Sequence, residues 1–166
     1  MRYWSISSAC AGLAILLAGL APAASQVGEP VKALQPVTSL QADAALSITN
    51  RRPIVILFSL PGCHFCDEVR QNYLLPLMND AAPADRPLLR EIVLTGSRHF
   101  SGFSGEKTSE QFVAKHYGVR VAPTVLMLDA SGVLLVPPVV GGDTSGLYGG
   151  YLSGALSQAT RMVQQR

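Results

Sequence analysis

Cys63 and Cys66 stand two residues apart in the segment Pro61-Gly62-Cys63-His64-Phe65-Cys66. Thiols at that spacing can close a disulfide within one turn of a helix. A helix start also favours thiolate at its first position, through free backbone N–H groups and the helix dipole. A free thiol titrates near about 8.5, and sites of this kind bring it to roughly 3.5–7.5, so the first sulfur becomes an attacking anion at neutral pH. Cys63 is therefore the expected nucleophile, and Cys66, one turn deeper, the resolving thiol. The chemistry this implies is exchange with a partner disulfide through a mixed disulfide. His64 and Phe65, between the thiols, are the positions expected to tune the couple. A cationic His64 would stabilise the thiolate and make the couple more oxidising, while its bland reading is a solvated helix-start residue.

Two other readings of the pair stay open. A structural disulfide would close a four-residue ring and constrain little chain. A metal site, copper(I) in particular, would use both cysteines as ligands with His64 as a third donor. No second Cys-x-x-Cys pair or spaced His pair completes a zinc site, so neither a metal nor any other cofactor is assigned. His99 and His116 have no partner at ligand spacing.

The elements around the pair follow from apolar patterning. Ile54-Val55-Ile56-Leu57-Phe58 is a continuous β-branched and aromatic run, the composition of a strand buried on both faces, and Pro53 separates it from a helix over 39–51. From Cys63 the pattern turns helical through Val69, Tyr73, Leu74 and Leu77, with Pro76 expected to kink or end it. Leu88–Leu94 is a second apolar run. Thr95–Lys107 reads as a Gly/Ser-rich loop whose Phe100 and Phe103 cover the core or else form part of a partner-binding rim, and a helix over 109–117 closes at Gly118. Thr124–Leu128 reads as a strand, Asp129–Gly132 as a turn and Val133–Val136 as its antiparallel partner. Gly141–Gly146 reads as a flexible connection to a last amphipathic helix carrying Tyr148, Leu152, Leu156, Ala159 and Val163. This order is an α/β fold with a central mixed sheet flanked by helices.

Of the 166 residues, 48% are hydrophobic and 14% charged, which excludes the signature of disorder, and the net charge of +2 comes without a basic run or stripe. Nucleic acid is thereby an unsuited partner. Arg2 precedes an uncharged Ala/Leu-rich stretch from Ala9 to Ala24 that ends in small residues, the layout of a secretory signal peptide. The expected division is a signal peptide over 1–25, a linker over 26–38 and the folded domain over 39–166. Cleavage removes Cys10 and leaves the Cys63/Cys66 pair alone, in a periplasm if the cell has one. A retained membrane anchor facing that compartment is the alternative.

Three segments then resemble the thioredoxin superfamily over roughly residues 40 to 160. They are Ile54–Phe58 leading into Cys63-His64-Phe65-Cys66, Phe112 through Tyr117-Gly118-Val119 to Ala122-Pro123-Thr124, and Val125–Asp129 followed by Ser131-Gly132. The resemblance implies a thioredoxin-like fold, a cis bond before Pro123 and a substrate-pairing backbone at Ala122. The sequence departs from ordinary thioredoxins at Leu57, which holds the place of a buried acid, so Glu68 or water would have to move the proton. Pro-Gly-Cys-x-aromatic-Cys is similar instead to exported proteins of the disulfide-isomerase and sulfur-oxidation type. That implies a thiol–disulfide oxidoreductase acting on protein thiols and disulfides, more in the reducing direction, recharged by a membrane thiol reductase as electron donor. A monomer is expected.

Overall fold

The computed structural model describes Met1 and residues 32–82 and 86–165. Apart from Met1, the expected signal peptide, with all of its cleavage region, lies outside them. Five strands form one sheet: β1 (Gln35–Pro36), β2 (Ile54–Ser59), β3 (Leu88–Val93), β6 (Thr124–Leu128) and β7 (Val139–Val140), in the order β1-β3-β2-β6-β7. Strand β2 lies parallel to β3 and antiparallel to β6, which makes the sheet mixed. All six β2 residues are buried because the strand is central and covered on both faces, which is what its unbroken apolar composition requires.

Alternation along β2 sorts the core into two layers. Val55 and Leu57 join Leu89, Val125 and Met127 under the helix that follows Cys63 and the last helix, through Val69, Leu74, Leu152 and Ala159. Ile54, Ile56 and Phe58 face the other way, onto Leu40 of α1 (Leu40–Asn50) and Val113 and Ala114 of α4 (Glu110–His116). Phe100 is buried in that layer and Phe103 packs at its edge. Helix α1 starts at Ser39, whose hydroxyl accepts from the Ala42 N–H at 3.1 Å, and stops where Arg51 takes a left-handed φ of 50°. Ser109 caps α4 in the same way.

Four expectations are corrected. The linker over 26–38 includes packed residues: Gln35 and Pro36 pair with Arg90 and Glu91 of β3, and Leu34 and Val37 are buried. Val133–Val136 does not form the partner strand of β6. Only Leu134 bridges Leu128, and β7 pairs with Thr124 and Val125 instead. The 95–107 loop contains half of a small hairpin, β4 (His99–Ser101) against β5 (Lys107–Ser109). The helix after Cys63 is not uniform: α2 (His64–Glu68) widens into a π segment over Val69–Leu74 before α3 (Leu75–Asn79). Pro76 is the second residue of α3, directly after the π segment, and the helix runs on past it to Asn79. The last helix, α5 (Tyr148–Gln164), buries Tyr148, Leu152 and Ala159.

Candidate functional site

The loop after β2 turns at Gly62, whose φ of 69° suits a residue without a side chain, and delivers Cys63 to the N-cap of α2. Cys63 and Cys66 form a disulfide with their Cα atoms 5.2 Å apart. The two sulfurs are inequivalent. Cys63 is half-buried at the helix mouth and its Sγ accepts from the Cys66 N–H at 3.1 Å, whereas Cys66 is fully buried. A partner sulfur can therefore reach Cys63 and not Cys66. In the reduced protein the same backbone N–H is placed to hold a thiolate on Cys63.

His64 and Phe65 both point outward: His64 is exposed, Phe65 is 45% exposed, and their rings are tilted at 5.8 Å. The turn over 121–124 comes to the same end of the sheet, because Thr124 pairs with Phe58, the residue just before the β2 terminus. Its hydroxyl donates to the Val121 carbonyl at 2.9 Å, and the Ala122–Pro123 bond is cis. Pro123 is buried and Ala122 half-buried.

Beneath α2 lies a polar network that the sequence reading missed. Leu57 is fully buried, and Glu91 stands opposite it on β3. The Glu91 carboxylate accepts from Ser59 Oγ at 2.6 Å and from Arg70 Nη2 at 2.5 Å and Nε at 3.3 Å. Arg70 also pairs with Asp67. The hydrogen bond from Arg70 to Glu91 raises the guanidinium further above its ordinary range, against a smaller opposing effect of burial. The available signal was a Glu inside the otherwise apolar run Leu88-Leu89-Arg90-Glu91-Ile92-Val93, whose neighbouring Arg90 pairs instead with Asp43. Glu68 is half-buried at the end of α2, where its charge acts on Tyr73. Among the described residues no three His, Cys, Asp or Glu side chains converge as a metal site would require, and no helix is long and apolar enough to cross a membrane.

No family model and no curated protein sequence matches this chain. Solved structures do. A DsbH oxidoreductase superposes with a TM-score of 0.52 at 18% identity, over 77% of this chain and 88% of that one. Thioredoxin f from spinach chloroplast gives 0.51 at 19% identity, over 81% and 98%. The chain has the thioredoxin fold. Oxidised mitochondrial thioredoxin 3 from Saccharomyces cerevisiae agrees, at 0.50 and 17% identity over 75% and 93%. Within this thioredoxin fold, the Cys63–Cys66 disulfide opens the helix that follows the central strand β2, and the 121–124 turn comes to the same end of the sheet.

Proposed function

We propose that the protein is a thiol–disulfide oxidoreductase that reduces disulfides of partner proteins. The observation that carries this reading is the asymmetric pair: an accessible Cys63 sulfur at a helix N-cap bonded to a fully buried Cys66. In the dithiol form, Cys63 thiolate attacks a partner disulfide, forms a mixed disulfide and expels one partner thiolate. Cys66 then attacks Cys63 Sγ, restores the intramolecular disulfide and releases the second partner thiol. Two electrons pass from the dithiol to the partner, and a dithiol reductant must return them.

The backbone at Ala122 and the ring of Pro123 would seat the partner chain beside Cys63. His64 and Phe65 would tune the couple from the outer face of α2. Reduction is the assigned direction because Pro61-Gly62-Cys63-His64-Phe65-Cys66 resembles that of exported thiol reductants. The resemblance also favours export by residues 1–25, a periplasmic site of action, a membrane thiol reductase as donor and a monomeric state.

The test is Cys66→Ser, which leaves Cys63 without its resolving partner. The variant should accumulate mixed disulfides through Cys63 that thiol reductants release. A variant that traps none under mild oxidation, in a protein that binds one copper(I) tightly through the wild-type pair, would replace exchange with metal binding. The direction is read from the couple's potential: near about −270 mV it acts as a reductant, near about −120 mV as a donor of disulfides.

A further inference from the structure

The Gly141–Gly146 segment, a plain connection by composition, is fastened on two sides of the cysteine pair. On one side the Gly141 N–H donates to the Pro123 carbonyl at 2.8 Å, which ties the loop to the 121–124 turn. On the other, Gly142 lies against Phe65: a Cβ added there would fall 2.7 Å from Phe65 Cδ1 and 2.9 Å from its Cβ. The next residue, Asp143, closes the attachment. Its carboxylate accepts from the Tyr73 hydroxyl at 2.5 Å and from the Gly146 and Ser145 N–H groups at 2.6 and 3.2 Å.

Tyr73 belongs to the π segment of the redox helix. A π turn carries one extra residue and displaces the side chains that follow it, and such turns gather at functional sites. Here the segment presents the Tyr73 ring to Tyr148 at the start of α5, with centroids 5.1 Å apart, and its hydroxyl to Asp143. The redox helix, the loop and the 121–124 turn are thus joined in series.

We propose that the Tyr73–Asp143 hydrogen bond is a latch that sets the spacing between Cys63 and the Ala122–Pro123 turn, making Tyr73 and Asp143 positioning residues for protein disulfides. The proposal rests on the exchange function given above. A partner chain must fit between the Cys63 sulfur and the turn, so a released loop weakens its seating. A small disulfide touches only the sulfur and does not sense the gap.

The experiment compares wild type, Tyr73→Phe, Asp143→Ala and Asp143→Asn. Insulin is the protein disulfide, hydroxyethyl disulfide the small one, and dithiothreitol the electron supply. Tyr73→Phe keeps the ring against Tyr148 and loses only the donor. It should raise KM for insulin by about tenfold, equivalent to about 1.4 kcal/mol, with kcat, the rate on hydroxyethyl disulfide and the reduction potential unchanged. Asp143→Ala should match or exceed it, and Asp143→Asn, which retains an acceptor, should recover most of the wild-type KM. Amide hydrogen exchange over 141–146 should quicken in Tyr73→Phe. An unchanged KM overturns the latch and leaves the exchange function standing, as does a parallel fall of kcat, small-disulfide rate and melting temperature, which marks a structural bond. A wild-type protein that reduces neither substrate overturns the exchange function, and the latch with it.

Discussion

Replacing Glu91 by Ala tests whether the network under the redox helix holds it to the sheet. In the Arg70–Glu91 pair the side chains are 17% and 16% exposed, and Ser59, also bonded to Glu91, is 2% exposed. Removing one member of a largely buried pair costs about 3–5 kcal/mol, because the remaining charge stays out of water without its partner. Asp67 still offers Arg70 a carboxylate at the surface, which places the expected loss at the low end, about 3 kcal/mol. For a domain of this size that is a fall in melting temperature of roughly 10 °C. Guanidinium unfolding of the oxidised protein should show a lower midpoint at an unchanged slope. Arg70→Ala in the Glu91→Ala background should add much less than it costs alone, since no buried charge is left to strand. A loss for Glu91→Ala below about 1 kcal/mol, the range of exposed ion pairs, would refute the buried-network argument.

Two further outcomes concern pH. Burial, aided by the charge of Asp129, pushes the Tyr117 phenol up to about 12, so its folded form keeps the proton beyond the ordinary value of 10. The stability this contributes is complete below pH 10 and is lost as pH rises from 10 towards 12; alkaline unfolding of Tyr117→Phe should therefore be less steep than wild type, even after its lost bond to the Gly132 carbonyl lowers overall stability. If a partner thiolate carries the proton, Glu68→Gln should leave the pH–rate profile of disulfide reduction unchanged; a displaced profile would place Glu68 in the proton path.

What could be read from the chain and what could not divide by sequence distance. Ile54–Phe58 announced a central strand because both faces needed apolar cover, and Ser39 and Ser109 marked helix starts through local hydrogen bonds. The cysteine pair was legible for the same reason, since its geometry lies within one turn. Strand β7 and the two strands of the β4–β5 hairpin are two or three residues long, too short for an alternating pattern to show, and β7 exists only through its register on β6. The π segment was hidden because one extra residue leaves the spacing of Val69, Tyr73 and Leu74 compatible with an ordinary helix. The Arg70–Glu91 and Tyr73–Asp143 bonds span 21 and 70 residues and depend on strand register and loop path.

Leu57 and Glu91 together bear on how the proposed exchange moves its proton. The family resemblance places an acid at position 57, yet Leu57 is fully buried among apolar side chains, and the carboxylate opposite it on β3 has both oxygens engaged by Ser59 and Arg70. For Glu91 to take the Cys66 proton, it would have to leave a cation and a hydroxyl that are themselves largely buried. The first step of reduction supplies an acceptor without that cost: attack by Cys63 frees a partner thiolate beside the pair, and that thiolate can take the proton as Cys66 closes the ring. The substrate then carries the base that the chain lacks at position 57. On this account Glu91 fastens the helix to the sheet and takes no part in proton transfer.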